Sequence, residues 1–413
     1  LMIEKVPNDI NRLGFDMSYA IDNSLFLSYT YNPDFGQIEQ NASDINFTSY
    51  EDFYTEKRPF FINNNHIFFT PINIFYSQRI GGNIIYDNQL YNVAIEDAFR
   101  FDGSNDNNFN YGFLFARSKI DDKDNIFNDR KINTFVSRLK KNIINDNSYL
   151  GFMNTTHENS KNLSQVYAID GVLSLFSNKL KIDGQIASSD NDSAINNGIG
   201  QSYEISYKNI ILNDRYSFFY NNIFNFWFNF QKYDKDFYIN DMGYLPRNDY
   251  VLFNSGLAFT KNNPNNFSIY RMFHFQTDIA KNIDGDRLRY LFTSTWQNTF
   301  INNFLVSINY IKALSHYDDW LFLDYDYNYF IDNNSPIVKR PGSDELQINF
   351  QTDPTHHIFL DYSLAYFNND INDSGISYYI NLNYKPIDWL SIDFDYKIDD
   401  YSDKYNLLKI RRY

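Results

Sequence analysis

The residues able to do chemistry are few, and their spacing argues against bond-breaking. The six histidines, His66, His157, His274, His316, His356 and His357, show none of the spacings that put two imidazoles on one metal. His356-His357 reads as a solvated turn. The chain has no cysteine, which removes disulfides, thiolate catalysis and Cys-based metal sites together. There is no Gly-x-Ser-x-Gly elbow and no phosphate-cradling glycine loop. Acidic clusters at Asp102–Asp106, Asp121–Asp124, Asp190–Asp192 and Asp284–Asp286 lack the twelve-residue calcium pattern with its final Glu, so they read as solvated loops. A total of 51 acidic residues identifies no particular carboxylate pair for glycoside hydrolysis. What remains is fastening chemistry. Arg58 precedes Pro59 and Arg247 follows Pro246; a guanidinium fork beside a stiffened backbone suits fixed contacts to carboxylates, so both arginines are expected to be partly buried and paired.

The elements that must position these residues are strands. Phe224, Phe226, Phe228 and Phe230 alternate with Asn225, Trp227 and Asn229, and the same period of two recurs at Leu25–Tyr31, Ile358–Tyr366, Ile376–Tyr384 and Leu390–Tyr396. Successive side chains of a strand point to opposite faces, so each ribbon has one greasy and one wet face. A soluble sandwich or a membrane barrel would meet that demand. A sandwich of about 100 residues would have to be repeated several times, and no repeat or linker marks the joints. The expectation is therefore an all-β fold, a large antiparallel transmembrane β-barrel of roughly 20 strands over residues 1–413, with Phe224, Phe226, Phe228 and Phe230 facing lipid.

Composition agrees with a barrel. The chain carries 35 Tyr, 40 Phe and 4 Trp while its mean hydropathy is -0.51, because Asn, Asp and Ser fill the alternate positions. No run approaches the ~18 apolar residues of a spanning helix. A net charge of -15 and a pI near 4.8 argue against nucleic acid and favour cations in any pore. No cofactor is implied. The opening LMIEKVPNDINRLGF has no signal-peptide pattern, so either a signal has been removed or the chain is a fragment.

Alternation stops between Pro33 and about Thr70. That segment is long for a connection, and Phe35, Phe53, Tyr54, Phe60 and Phe61 are too apolar to leave in water. It is expected to fold at or into the lumen as a plug, with Glu56, Lys57 and Arg58 anchoring it to lumen charges. A ribbon is expected to resume at Ile72-Asn73-Ile74-Phe75-Tyr76, and 232–248 reads as a long polar loop. The first hairpin turns at Asp22-Asn23.

Four blocks carry a resemblance over nearly the whole chain, three of them in its first 81 residues. They are Asn32-Pro33-Asp34-Phe35-Gly36-Gln37, then Glu56-Lys57-Arg58-Pro59-Phe60-Phe61, then Phe75-Tyr76-Ser77-Gln78-Arg79-Ile80-Gly81. The fourth is Phe237–Tyr250, centred on Gly243-Tyr244-Leu245-Pro246-Arg247. In order and spacing these blocks closely resemble a large outer-membrane family of unknown function, in which a barrel follows a periplasmic domain similar to carbohydrate-binding module family 9. The resemblance implies a barrel in the outer membrane of a Gram-negative bacterium, with that lipid as partner and a periplasmic domain in the full-length chain. The carbohydrate label belongs to the module and does not transfer. After Phe61 the family tends to carry an acid and a glycine, whereas this chain has Ile62-Asn63-Asn64-Asn65.

The functional expectation is passage or capture of a small polar solute or oligosaccharide without chemistry. The alternatives are an interaction scaffold for outer-membrane or periplasmic partners and a membrane-embedded hydrolase.

Overall fold

The computed structural model describes residues 2–5, 11–22, 24–33, 51–82, 84–86, 89–105, 107–120, 131–159, 162–192, 197–211, 222–319, 338–387 and 389–402. The fold is all-β, built on one large antiparallel sheet. The described residues up to Glu204, with Gln231–Tyr250, form one compact unit; Ile205–Phe230 and those from Val251 onward form the other.

The first unit contains β1 (Met2–Lys5), β2 (Asn11–Ala20), β3 (Leu25–Tyr31), the small hairpin β4 (Ile84–Tyr86) and β5 (Gln89–Tyr91), β6 (Val93–Asn105), β7 (Phe109–Ile120), β8 (Lys131–Asn142), β9 (Tyr149–Asn159), β10 (Leu163–Leu175) and β11 (Leu180–Asn191). From β1 to β3, and from β6 to β11, each strand pairs antiparallel with the next, and β3 pairs with β6. β12 (Gly198–Ile211) and β13 (Ile223–Tyr233) each begin in one unit and end in the other.

Burial in this unit is inverted relative to an ordinary soluble sheet. One cross-strand row reads Asp102, Gly112, Arg138, Met153, Ala168, Ala187, and every member is buried. The opposite face carries the larger apolar groups and leaves them in the open: Leu150 is 56 % and Ile169 60 % exposed. Small side chains on the buried face leave room for a covering layer. That layer comes from two segments. Phe61, Ile67, Phe68, Ile72, Ile74, Phe75 and Ile80 pack from 58–80, and Phe237, Ile239, Met242 and Leu245 from the connection after β13, all in one cluster with the sheet.

Two sequence expectations change here. Residues 72–76 are not a strand. Ile72, Ile74, Phe75 and Tyr76 are all buried, the chain turns into a 3-10 helix at Ser77–Arg79, and the Tyr76 amide donates to the Met242 carbonyl of the other inserted segment while the Ile74 amide donates to the Ile72 carbonyl. The region 232–248 is not a polar loop either, since it supplies Phe237, Ile239, Met242 and Leu245 to the covering layer. Further expected strands around 214–222, 319–330 and 404–413 fall largely or wholly outside the described residues, as does Asn23. Before it, Asp22 accepts the Ser24 amide at 2.7 Å.

The second unit holds β14 (Tyr250–Lys261), β15 (Ser268–Lys281), β16 (Arg287–Phe300), β17 (Leu305–Ala313), the short pair β18 (His316–Asp318) and β19 (Val338–Arg340), then β20 (Ser343–Gln351), β21 (Ile358–Asn369), β22 (Ser374–Ile387) and β23 (Leu390–Ser402). Its faces separate cleanly. One row reads Trp296, Ile308, Ile348, Leu364, Tyr378, Ile398; its neighbour on the other face reads Thr295, Asn309, Gln347, Ala365, Ser377, Asp399. The phenylalanines of β13 share a face with β14, Phe224 lying 5.0 Å from Phe259 and Phe230 4.9 Å from Phe253.

Connection lengths differ between the two ends of the strands. In the first unit one end has 21–24, 106–108, 143–148 and 176–179, and the other 32–92, 121–130, 160–162 and 192–197. In the second, 262–267, 301–304, 352–357 and 388–389 lie at one end and 282–286, 314–342 and 370–373 at the other, so the asymmetry there rests on 314–342. Met2 pairs with Gly14 and Lys5 with Asn11, so β1 runs toward the end that carries 32–92.

The covering layer should be what holds the first unit together. Phe237 is fully buried, and Phe237→Ala should cost about 3–5 kcal/mol, measured as a shift in the denaturant midpoint. A shift under about 1 kcal/mol would mean that the layer is not packed on the sheet.

Candidate functional site

The candidate site is the inserted layer and its fastenings, all within the first unit. Pro59 opens a single helical turn, Pro59–Ile62; its fixed φ suits a first helical position. Asn64 then takes a left-handed conformation at φ 50, which asparagine tolerates better than most residues, and a 3-10 turn follows at Asn65–Phe68. These turns bring Arg58 back over the later part of the segment.

Arg58 is the local clasp. Its Nε and Nη2 donate to the two Glu56 carboxylate oxygens at 2.8 and 2.7 Å, Nη1 to the Ile80 carbonyl at 2.6 Å, and Nη2 also to the Ser77 carbonyl at 2.6 Å. The Ser77 hydroxyl donates to Glu56 at 2.6 Å, and the guanidinium lies 4.3 Å from the centre of the Phe61 ring. The Arg58 and Glu56 side chains are 10 % and 8 % exposed. Burial works to raise the Glu56 carboxyl, but the Arg58 hydrogen bonds and charge, with Ser77, outweigh it and hold the group below its usual range. The expectation of a buried, carboxylate-paired Arg58 is met, with Glu56 itself as the partner.

A second clasp joins this segment to the 237–249 connection. Arg79 donates to Glu51 at 2.6 Å and to the Gly243 carbonyl at 3.1 Å. The Tyr76 amide donates to the Met242 carbonyl at 2.6 Å, and the Tyr244 amide to the Asn73 carbonyl at 2.8 Å. These bonds replace the ladder that a strand at 72–76 would have made. Gly243 is required because a Cβ there would lie 2.6 Å from the Asn73 carbonyl oxygen. The Tyr244 hydroxyl donates to the Glu51 carbonyl at 2.7 Å, and burial raises its pKa. Asn240 closes the connection on itself through both its amide atoms and Leu245, at 3.0 and 2.7 Å.

A third set fastens the layer to the sheet. Arg138 makes a bidentate pair with Asp170, one bond at 2.7 Å, and also donates from Nε to the Ile67 carbonyl at 3.3 Å. Arg100 pairs with Asp102 at 2.7 Å, and Asp102 accepts the Asn64 side-chain amide at 2.8 Å. Gln185 accepts the Ile72 amide through its side-chain carbonyl. Phe237 sits where β12 has Gly200, at which a Cβ would fall 2.4 Å from the ring.

Of the residues the sequence singled out, Glu56, Arg58, Phe61, Arg79 and Gly243 come together in these clasps. Phe60 packs on the cluster edge, and its ring meets Phe61 at 5.1 Å. Lys57 is exposed, with its backbone amide on Glu56, so the expected anchoring of the triplet to lumen charges becomes an internal Glu56–Arg58 clasp plus separate strand-borne pairs. Arg247 donates to the carbonyls of Asn248 and Asp249 and lies over the Tyr250 ring at 5.2 Å; Pro246 is exposed beside it. Asn32 takes a positive φ and bonds the Glu96 carbonyl at 2.7 Å ahead of Pro33, while Asp34, Phe35, Gly36 and Gln37 lie outside the described residues. Arg100, Arg138, Asp170 and Gln185 were missed, and Asp102, read with Asp102–Asp106 as a solvated loop, is instead buried on β6 against Arg100 and Asn64. Their signal was a charged or long polar side chain among the small residues of a strand's wet face.

The Glu56 clasp carries a pH dependence. A carboxyl held below its unfolded value contributes stability that is fully present above about 4.3 and is lost as pH falls through the lower folded value. Acid should therefore loosen 51–58, seen as protease cleavage there rising below about pH 4, while Glu56→Gln should be loosened already at neutral pH. Identical cleavage of both proteins at neutral and acid pH would refute the clasp.

A family model described as Domain of unknown function (DUF5916) matches residues 4–409. No curated protein and no solved structure matches the chain. With the match running over nearly its whole length, the chain belongs to the DUF5916 family.

Proposed function

We propose that this chain is an outer-membrane β-barrel of a Gram-negative bacterium, whose inserted layer lines the lumen and which passes or captures a small polar solute or oligosaccharide without chemistry. The observation that carries the reading is the inverted burial. Exposed Leu150, Ile169, Tyr167 and Phe152 on the face away from the packed layer are costly in water, at roughly 25 cal/mol per Å², and are at home in lipid. The polar face of the second unit suits an aqueous wall. A scaffold that holds periplasmic or outer-membrane partners is the second reading, favoured by how firmly the layer is clasped.

Orientation follows from the connections. Outer-membrane barrels place short turns in the periplasm and long loops outside. On that rule 21–24, 143–148 and 176–179 face the periplasm, β1 runs outward, and the inserted layer is rooted at the outer mouth. A chain without native cysteine makes this directly testable. Thr55→Cys and Ile371→Cys should react with a membrane-impermeant maleimide on intact cells, whereas Lys179→Cys and Asn302→Cys should react only after the outer membrane is permeabilised. The reverse pattern would overturn the orientation, and recovery of the protein without detergent would overturn the barrel.

Asp361, Asn381 and Asp395 form one cross-strand row on the polar face, and acidic residues exceed basic ones to give the net -15. An open pore should prefer cations, less so as salt screens the fixed charge. Reversal potential under a KCl gradient measures this, and an anion-selective pore would refute the charge argument. A silent bilayer would favour the scaffold.

A further inference from the structure

A large aromatic ring stands on the more polar face of the second unit where β13 and β14 meet the rest of it. Trp227 shares a strand with Phe224, Phe226, Phe228 and Phe230 but has the opposite parity. Its ring is held flat by four neighbours. It stacks on His274 at 5.3 Å with 13° between planes, its Nε1 donates to Asn254 at 3.1 Å, and Asn254 in turn donates to Asp278, which also accepts Gln276 at 3.2 Å. Gly256 makes the pose possible, because a Cβ there would lie 2.2 Å from the indole.

Beside this plate runs a track of neutral hydrogen-bonding groups. His274, Thr295, Asn309 and Gln347 face one another across four consecutive strands, one every ~4.8 Å. Thr295 donates to Asn309 at 2.9 Å, Asn309 to Gln347 at 3.3 Å, and Gln347 to Glu345 at 2.6 Å. Trp227, His274, Asn309 and Gln347 are all half-buried, so they are held in place yet reachable. The carboxylates beside the track, Asp278 and Glu345, already accept amide donors. The row itself therefore offers paired, uncharged donors and acceptors, with anionic carboxylates at its edges. Hydroxyl groups, which both donate and accept, match the row; an anion does not. A ligand with hydroxyls along its edge and an apolar C–H face for the indole would use plate and track together.

We propose that Trp227 and the His274–Thr295–Asn309–Gln347 row form a binding site for an uncharged polyhydroxylated chain, with the indole as its stacking plate. This rests on the polar-solute reading above for its biological use, but not for its measurement. Equilibrium titration of the detergent-solubilised full chain with maltohexaose, cellohexaose and xylohexaose, with spermidine in parallel, reads binding whether or not a pore conducts. At least one hexasaccharide should bind. Trp227→Ala should weaken it about tenfold, as removal of one stacked ring predicts; Trp227→Phe should restore most of the loss; and Asn309→Leu should weaken it independently. Binding of spermidine alone, binding of no hexasaccharide, or a hexasaccharide affinity indifferent to Trp227→Ala overturns the site. A chain that needs no detergent would instead overturn the barrel reading and leave the titration result to judge the site by itself.

Discussion

The first unit depends on a guanidinium and a carboxylate that water does not reach. The Arg138 and Asp170 side chains are 1 % and 0 % exposed. They meet over Gly151 of the intervening strand, where a Cβ would lie 2.6 Å from Arg138 and 2.8 Å from Asp170. Two charges removed from water are tolerable only when paired and when their remaining donors are satisfied. The Ile67 carbonyl satisfies the third Arg138 nitrogen, so the sheet's pair and the inserted layer stabilise each other. Losing either partner would strand a buried charge at a cost of about 3–5 kcal/mol. Arg100 and Asp102 make a second buried pair, in which the layer contributes the Asn64 amide to the carboxylate and the Phe60 carbonyl to the guanidinium.

Around that constraint the inserted segments are shaped by their own clasps. Arg58 uses its fork to close 56–80 on itself, and Arg79 joins it to the 237–249 connection, far away in sequence. Lysine could not serve at Arg58, where three nitrogens serve one carboxylate and two carbonyls in fixed directions. The layer is thus a folded piece with its own hydrogen bonds, laid on a face of glycine, alanine and serine. Such a piece moves as a body or stays put.

The strands were legible because alternation is local. Phe224 to Phe230 and Ile358 to Tyr366 each announce a strand without reference to any partner, and β13 and β21 form there. The inserted region was legible as an interruption, but its end was not. Ile72, Ile74 and Tyr76 alternate like a strand, but the Tyr76 amide donates to the Met242 carbonyl, the Asn73 carbonyl accepts the Tyr244 amide, and the Ile74 amide turns back on the Ile72 carbonyl, so no ladder forms. Periodicity reports which residues share a face and does not report what they pair with. The 237–249 connection was misread for a related reason: its aspartates and asparagines look solvated in sequence, yet Asn240 spends both amide atoms on Leu245.

What the sequence by itself determined is the β class, the two-faced character of the strands, the lack of cysteine chemistry, and the importance of the Glu56–Phe61 and Gly243–Arg247 blocks. The first three follow from composition or from spacing within a few residues, and the two blocks stood out through the family resemblance they carry. Tertiary structure alone decided which face is covered, that Arg138 finds Asp170 across Gly151, and that Trp227 lies against His274 over Gly256. Those choices bring together residues from strands that the chain separates by long intervals. No local propensity encodes such a meeting; it is selected by the cost of leaving a charge or a donor buried without a partner.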